Sequence, residues 1–216
     1  MTASREQHRV WEAIAHSFDR SRTKRWGHVE AFLQGLAPGS RVLDLMAGNG
    51  RHTASILEQG HLATWSDWSR PAAGIAAKRY PAADVVVADA TALPFAPGAF
   101  DAAILVAGLH SIPTAEGRAM CLQGLHNLLV PGGQAQVTVW SRDAPRFRSQ
   151  GTPGLPIDVD LPWKSHGHDE SRHYHLYTPQ ALRSELKAVG FAGVELSQVA
   201  IVAPEADNLV ATVRRP

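Results

Sequence analysis

Hydrophobic residues recur along this chain at two spacings, one typical of helices and one typical of buried strands. Near the start, Val10, Ile14 and Phe18 follow helical spacing, and a second helical stretch covers 26–36. Short apolar runs then alternate with helical stretches, at 41–45, 62–66, 84–88, 100–106, 134–140, 191–196 and 208–213. Repeated strand–helix units predict an α/β fold in which a mostly parallel sheet carries helices on both faces.

The segment 141–177 breaks this rhythm. It is rich in proline, glycine, histidine and arginine, and it is long for a loop inside a compact domain, so it is either a lid or a disordered segment. Its aromatic residues, including Trp163 and Tyr174, favour a lid, because a solvated segment would carry few of them. We predict a single domain over 1–216, with N-terminal helices at 5–36 and a lid-like insertion at 141–177.

Composition narrows the class of protein. The 216 residues are 44% hydrophobic and 19% charged, which is typical of a folded globular domain. Because the formal net charge is +1, a polyanion would have to bind at a local basic patch. The single cysteine excludes an internal disulfide, and the sequence contains neither a signal peptide nor an apolar run of membrane length. We expect a cytoplasmic protein that does not enter a membrane.

A strand that ends in a small-residue loop is the strongest chemical signal in the sequence. Val42-Leu-Asp-Leu-Met-Ala-Gly-Asn-Gly50 leads from a strand into a helix, and Gly48 and Gly50 let the backbone approach a ligand closely. Thr53 stands where a dinucleotide-binding GxGxxG motif requires its third glycine. Asp44, just before the loop, favours a ligand that carries positive charge.

Further candidate positions follow the next three strands. Asp67 comes after the second strand, at the place where an acid can bind ribose hydroxyls, although a role at a helix N-terminus is the alternative. Asp89 and Ala90 follow the third strand, and Ala107 follows the fourth. Because the carboxyl ends of parallel strands meet at one edge of a sheet, these positions should line one ligand site together with the glycine loop.

These motifs resemble the class I S-adenosylmethionine-dependent methyltransferases. The resemblance is carried by 42–50, Asp67, Asp89-Ala-Thr-Ala-Leu-Pro-Phe95, Phe100-Asp101 and Leu128-Leu-Val-Pro-Gly-Gly133. It implies a Rossmann-like sheet of seven strands with the last one antiparallel, S-adenosylmethionine as cofactor and S-adenosylhomocysteine as product. It also implies a cofactor site made of Asp44, Met46, Ala47, Gly48, Asn49, Gly50, Asp67, Trp68, Asp89, Ala90 and Ala107, the last offering its carbonyl to the ammonium group.

The resemblance implies a role for each part of this site. The loop backbone surrounds the methionine portion, Asp44 lies near its amino group, and Asp67 binds the ribose hydroxyls. Asp89 and the Ala90 N–H bind the adenine edge. Met46 departs from the family pattern, because the loop usually begins there with another glycine, and a methionine restricts the turn.

A narrower resemblance reaches the flanks of the fold. Arg22-Thr-Lys-Arg-Trp26, Leu109-His110, Val139-Trp140, Asp160-Leu-Pro-Trp163 and Arg172-His-Tyr-His-Leu-Tyr177 are similar to motifs of the tRNA wobble-uridine carboxymethyl methyltransferases. That family forms a methyl ester on 5-carboxymethyluridine, and a small zinc-binding activator protein assists some members. Arg25, Gly27 and His173 depart from the family pattern, which affects the expected substrate more than the expected chemistry.

The acceptor determines which side chains catalysis requires. A carboxylate is ionised at neutral pH, so it needs orientation rather than a general base. Arg172 and Arg22 could orient an oxyanion, since a guanidinium matches planar oxygen pairs. His110 and His175 are further catalytic candidates, as hydrogen-bond donors to a carboxylate or as proton acceptors for a hydroxyl or amine. A purely structural or surface role is the alternative for each.

The basic stretch 20–26 is the candidate contact for RNA. Its cations, Arg22 and Lys24 among them, could hold a phosphate backbone while Trp26 stacks on a base. Alternatively, the stretch is a solvated turn with Trp26 packed against the next helix. Trp163 and Tyr174 could likewise stack on a base or close the lid over the core.

Three functions stay open from the sequence. The first is a tRNA wobble-base methyltransferase, the second a small-molecule methyltransferase acting on a carboxylate or hydroxyl, and the third a cofactor-binding regulatory protein without turnover. No metal is predicted, because the HxH pairs formed by His166, His168, His173 and His175 lack a carboxylate in clear register.

Overall fold

Helices and strands alternate along most of the chain, as the hydrophobic pattern predicts. A computed structural model describes residues 3–165, 167–201 and 207–216. The helices are α1 (Ala3–Ser21), α2 (Gly27–Gln34), α3 (Arg51–Glu58), α4 (Arg70–Arg79), α5 (Ala115–Leu128) and α6 (Pro179–Ala188). The strands are β1 (Arg41–Leu45), β2 (Leu62–Asp67), β3 (Asp84–Val87), β4 (Phe100–Val106), β5 (Leu129–Trp140), β6 (Ile157–Ser165), β7 (His168–Leu176), β8 (Ala192–Val199) and β9 (Asn208–Arg214).

Seven strands form one sheet in the order β3-β2-β1-β4-β5-β9-β8. Neighbours from β3 to β5 pair in parallel, whereas β9 runs antiparallel to both β5 and β8. The predicted seven-stranded, mostly parallel sheet with an antiparallel last strand is therefore confirmed. After β3 the chain crosses to the other side of β1, and ligands of such sheets bind at this point of reversal.

Alternate residues of β1 pack against helices on opposite faces of the sheet. Leu43 and Leu45 are buried in a cluster that includes Leu125 of α5. Val42 is buried in a second cluster that includes Ile56 of α3. Each such fully buried aliphatic side chain contributes about 1.5–3 kcal/mol of transfer free energy. Because β1 is held on both faces, the loop that follows it has a rigid base.

The described part of the segment 141–177 packs against α1. Its second half is an antiparallel hairpin in which β6 and β7 pair from Ile157 and Leu176 onward. Trp163 of β6 donates a 2.8 Å hydrogen bond from Nε1 to the hydroxyl of Ser17 in α1. In its first half, the buried Arg142 donates to the carbonyls of Phe147 and Gln150. The sequence analysis did not predict the two strands of this hairpin.

Two predicted boundaries differ from the structure. β5 begins at Leu129 rather than at Gln134, because Leu129 pairs with Phe100 ahead of an irregularity in the ladder. α2 ends at Gln34, two short backbone turns before Pro38. Across the residues that the structure describes, none of the helices has the length and apolar character required to cross a bilayer.

Candidate functional site

The loop after β1 contains three left-handed backbone conformations. Met46, Gly48 and Gly50 have φ angles of 54°, 55° and 73°. A Cβ on Gly50 would lie 2.6 Å from the ring of Tyr80, so only glycine fits there. Met46 takes the conformation for which the resembling family has glycine, and it does so as a strained residue. Its side chain packs against Gly108, where a Cβ would lie 2.7 Å from the Met46 Cβ.

Asp44 lies beneath this loop rather than in a cleft. It is 2% exposed and accepts a 2.7 Å hydrogen bond from the hydroxyl of Thr53. Burial raises the pKa of Asp44 to about 7, and the Thr53 hydrogen bond and the charge of Arg51 act in the opposite direction. Thr53, which stands where a dinucleotide motif has its third glycine, thus holds the Asp44 carboxylate.

Asp44→Asn should stabilise the ligand-free protein at alkaline pH. In the wild type, the folded state keeps a proton on Asp44 up to about pH 7, whereas the unfolded state releases it near pH 4. Stability is therefore lost as pH rises through this window, on the order of 2–4 kcal/mol. The free energy of unfolding, measured with urea, should be larger for the variant than for the wild type at pH 8, and the two values should be equal at pH 4. Parallel stability curves from pH 4 to pH 8 would contradict the burial of a protonatable Asp44.

Two adjoining clefts lie at the carboxyl ends of the parallel strands. The first encloses about 750 Å³ up to its solvent opening, and the second about 460 Å³. They share Met46, Asp67 and Trp68. Of the predicted cofactor positions, the clefts bring together Met46, Ala47, Gly48, Asn49, Asp67, Trp68, Asp89, Ala90 and Ala107, while Asp44 and Gly50 line neither.

The Asp67 carboxylate is fixed at the junction of the two clefts. Its Oδ2 accepts a 3.0 Å hydrogen bond from the Gly48 N–H, and its Oδ1 accepts a 2.9 Å bond from the Ser69 N–H. Burial raises the pKa of Asp67, and these backbone hydrogen bonds lower it. Each oxygen keeps a lone pair for a hydroxyl donor. The N-cap of α4 is Ser69, which accepts from the Ala72 N–H, so Asp67 lies two residues before the cap and is not the capping residue itself.

The other predicted cofactor positions are held by backbone and side-chain hydrogen bonds. Asp89 accepts from both the N–H and the hydroxyl of Thr91, at 2.9 and 2.8 Å. Asn49 donates from Nδ2 to the Arg22 carbonyl and to Asp19, which ties the end of α1 to the loop. Ala107 has a φ angle of 55°, which turns the chain at the end of β4.

Arg51 lines the first cleft and was not predicted from the sequence. Its guanidinium lies 4.7 Å from the centre of the Trp26 ring and donates to Nε2 of His52. Burial and the charge of Arg22 lower the pKa of Arg51 to about 10, and Asp44 opposes this shift. Arg51 therefore stays charged at neutral pH and can bind a carboxylate. A basic residue directly after the second loop glycine was the available signal.

The basic stretch does not form the predicted stacking surface. Trp26 is 8% exposed and packs with Val29 and Leu33 of α2, so the packing alternative is the correct one and the base-stacking prediction is wrong. Burial of the indole against α2 removes a large apolar surface from water. Lys24 is exposed, and Arg22 lies over the rings of neighbouring aromatic residues.

An aromatic layer joins α1, the end of β5 and the hairpin. Trp140 and Tyr174 lie 4.4 Å apart between ring centres, and His110 lies 5.0 Å from Trp140. Phe18 lies 6.1 Å from Trp163 and also lines the first cleft. The Phe18 ring thus lies between Trp163 of the hairpin and the first cleft.

Three arginines lie against this aromatic layer. The guanidinium carbon of Arg172 is 4.6 Å, and that of Arg22 5.5 Å, from the centre of the Trp163 ring. That of Arg146 is 4.3 Å from the centre of Trp140. Burial lowers the pKa of Arg172, and the charges of Arg22 and Arg146 lower it further. Arg172 is buried, whereas Arg22 and Arg146 are exposed beside it. An anion bound among the three would reduce the repulsion between their like charges.

Arg172 is fixed by neutral partners. It is 7% exposed, donates a 2.8 Å hydrogen bond to the hydroxyl of Tyr174 and a longer one to the Pro162 carbonyl. Its Nε has no hydrogen-bond partner within the described part of the chain. The Arg172 guanidinium is therefore held in one orientation by neutral groups, which leave its positive charge uncompensated.

His110 accepts one hydrogen bond and keeps a second ring nitrogen without a partner among the described residues. Its Nδ1 accepts from the Trp140 backbone N–H at 3.1 Å, so the ring proton must be on Nε2, which has no partner among the described residues. Burial lowers the pKa of His110 to about 3, with smaller effects of Arg146 and His175. The neutral ring can donate to an acceptor but is not arranged to take its proton.

His175 lies on the other face of β7. Neighbouring residues of a strand point to opposite sides, and His175 bonds Asp158 at 2.8 Å while Tyr174 faces the aromatic layer. The structure therefore does not bring His175 together with Arg172. His166 lies outside the described residues, as does the side chain of His168. Within the described ranges, no three potential ligand side chains are grouped closely enough for a metal ion.

Comparisons with known proteins agree with this geometry. Residues 42–133 match the model of a methyltransferase domain. The chain is 36% identical over 136 residues to an Arabidopsis thaliana tRNA (carboxymethyluridine(34)-5-O)-methyltransferase, covering 63% of this chain and 33% of that protein. A protein of the same name from Schizosaccharomyces pombe is 28% identical over 203 residues, covering 85% of this chain and 87% of that protein.

Solved structures place the whole chain in one class. The structure of Burkholderia thailandensis 1,6-didemethyltoxoflavin-N1-methyltransferase, with bound 1,6-didemethyltoxoflavin and S-adenosylhomocysteine, has a TM-score of 0.71 and 25% identity. It covers 100% of this chain, which covers 91% of that one. Against the Arabidopsis thaliana relative, in contrast, the chain spans only about a third of the length. The sheet, the loop and these matches show that the chain contains a methyltransferase domain with the fold of the S-adenosylmethionine-dependent methyltransferases.

Proposed function

We propose that the chain transfers the methyl group of S-adenosylmethionine to a carboxylate oxygen of 5-carboxymethyluridine at the wobble position of tRNA. The observation that carries this proposal is the group of three arginines, Arg22, Arg146 and Arg172, against one aromatic layer. A guanidinium matches a carboxylate in shape and charge, and aromatic rings accommodate a flat base. The names of the two tRNA-modifying relatives point to the same acceptor.

The two clefts fit the cofactor. In this proposal Asp67 accepts from the ribose hydroxyls, Asp89 and Ala90 border the adenine, and Arg51 binds the carboxylate of the methionine portion. Asp44 lies below the loop and attracts the ammonium group through its charge rather than by contact. When bound, S-adenosylmethionine supplies an electrophilic methyl group on a sulfonium sulfur.

The protein then positions the acceptor oxygen and excludes water from the site. A carboxylate is already ionised at neutral pH, so no general base is needed and the arginines have only to align one oxygen with the methyl carbon. His110 donates from Nε2 and helps to fix the acceptor. Trp163, tied to Ser17, keeps the hairpin closed over the site and excludes water. His175 has no part in this mechanism.

Arg146→Met tests the arginine that the sequence analysis missed. Methionine keeps the apolar stem that packs on Trp140 and Phe147 but removes the charge. We expect kcat/KM for the carboxylate acceptor to fall about tenfold, the usual effect of losing one charge-assisted contact. The dissociation constant of S-adenosylhomocysteine, measured by calorimetry, should not change. An unaltered kcat/KM would remove Arg146 from the oxyanion site.

A second candidate acceptor is a small molecule. It is favoured by the Burkholderia thailandensis neighbour, whose bound acceptor is a small heterocycle. Transfer assays with labelled cofactor should therefore compare total tRNA with a panel of small carboxylic acids and hydroxylated heterocycles. Label in tRNA supports the proposal, and label in a small molecule alone rejects it. Tight binding of S-adenosylhomocysteine without any transfer would favour a non-catalytic regulatory protein.

An activator protein is a further part of the proposal. A methyltransferase in complex with the Haloferax volcanii Trm112 methyltransferase activator has a TM-score of 0.71 at 15% identity, over 95% of this chain and 97% of that one. The transfer assay should be run with and without such an activator. The cytoplasmic location expected from the sequence stays a prediction.

A further inference from the structure

A third cleft, separate from the two described above and strongly basic, opens beside the cofactor loop. It encloses about 600 Å³ up to its solvent opening. Four arginines line it, Arg20, Arg25, Arg51 and Arg79, against a single acid, Asp19. Because the net charge of the whole chain is only +1, this cleft concentrates positive charge at one place on the surface.

Two of these arginines are held in place by carboxylates. Arg79 forks onto Asp19 with bonds of 2.7 and 2.8 Å, and Arg25 forks onto Glu58. The Arg79 hydrogen bond lowers the pKa of Asp19, so that acid stays ionised and neutralises only the partner it already has. Arg20 is exposed at the rim of the cleft, and its charge is available for an external anion. The Arg25–Glu58 pair is also exposed to solvent, so it is weak and Arg25 can turn to a phosphate instead.

The cleft has a fixed relation to the cofactor site. Asn49 and Arg51 line both the basic cleft and the first cofactor cleft. Arg51 is held between them, against Trp26. An anion in the basic cleft would thus sit a single layer of side chains from the cofactor loop, within reach of the same polymer whose base enters the acceptor site.

We propose that this basic cleft binds a phosphodiester group of the RNA that carries the target base. The proposal rests on the proposed function and adds to it a phosphate subsite formed by Arg20 and Arg25. It also gives the basic stretch 20–26 a role, although Trp26 does not stack on a base. The cations of the stretch contact the RNA backbone, while the Trp26 indole packs in the protein core.

The test uses Arg20→Gln/Arg25→Gln and a matched control, Lys187→Gln/Arg214→Gln. Arg20 and Lys187 both lie in the last turn of a helix, so both changes remove a favourable charge at a helix end. Arg214 is exposed in β9, where it pairs with Gln134 of β5 and Ala192 of β8, on the side of the sheet away from β2 and β3. Both double variants remove two positive charges, so a loss of RNA affinity caused only by lower net charge would be the same in both.

Binding of a labelled anticodon stem-loop RNA should be measured against salt concentration. The cleft variant should bind roughly tenfold more weakly at low salt, and its slope of log K against log salt should be about one unit shallower. The control should match the wild type, and the affinity for S-adenosylhomocysteine should be equal in all three proteins. Inorganic phosphate at millimolar concentration should compete less with RNA in the cleft variant than in the wild type.

The outcomes separate this inference from the proposed function. If the cleft variant binds RNA like the control while the wild type methylates tRNA, the cleft inference fails and the proposed function stands. If the cleft variant loses S-adenosylhomocysteine affinity instead, the cleft belongs to the cofactor site and the inference also fails. A wild type that neither binds nor methylates RNA overturns both.

Discussion

Replacing Arg172 with methionine is expected to lower kcat for a carboxylate acceptor by about 100-fold or more, with no change in affinity for S-adenosylhomocysteine. Arg172 is the most enclosed of the three arginines, and its orientation is set by the Tyr174 hydroxyl and by Trp163. A guanidinium held in this way aligns one carboxylate oxygen in the reacting complex, and the cofactor alone does not need that alignment.

The conservative variant Arg172→Lys separates positioning from charge. Lysine keeps the charge but lacks the planar fork, so it should recover only a small part of the rate. Because Arg172 also packs between Trp163 and Tyr174, thermal unfolding of both variants must be measured beside the rates. A folded Arg172→Met protein with wild-type kcat would exclude Arg172 from the acceptor site.

Asp67→Asn should weaken the binding of S-adenosylhomocysteine by about 100-fold. Two hydroxyl hydrogen bonds to a carboxylate are each worth about 1.5–3 kcal/mol, and an amide supplies only one oxygen. The amide would also turn a donor toward either the Gly48 or the Ser69 N–H, both of which now donate to Asp67. The loss should therefore include a disturbed loop.

Asp84→Asn is the matched control for this experiment. Asp84 is exposed at the first position of β3, at the opposite end of the strands, and its change should leave cofactor affinity unaltered. Calorimetry on both variants at one pH decides the assignment. Equal affinities for Asp67→Asn and wild type would remove Asp67 from the ribose role.

The sheet and the cofactor loop could be predicted because their signals are local. The loop at 42–50 and the acid at Asp67 occupy fixed places in a strand–turn–helix pattern, and the hydrophobic spacing located the strands along the chain. The hairpin shows where this fails. Ile157, Val159 and Leu161 alternate with polar residues, but Pro162 stands within the run, and proline inside a strand is confined to sheet edges, so the local pattern does not predict a strand here.

The acceptor side depends on contacts that no local pattern contains. Trp26 became a core residue because α2 and α3 meet over it, which spacing in the basic stretch does not reveal. The face to which His175 points depends on register, and a shift by one residue reverses it. Arg51 and Arg146 matter because the folded chain places Arg51 against Trp26 beside the cofactor loop and Arg146 against Trp140, and neither position can be read from the sequence.

The acceptor atom itself is the most direct test of this account. Wild-type protein, with and without the activator, should be given methyl-labelled S-adenosylmethionine and tRNA that carries 5-carboxymethyluridine, and the product should then be treated with mild alkali. We expect label to enter the tRNA and to leave as methanol, because hydroxide cleaves a methyl ester into carboxylate and methanol. Label that resists alkali, or no label in tRNA from protein that binds S-adenosylhomocysteine, would contradict the account.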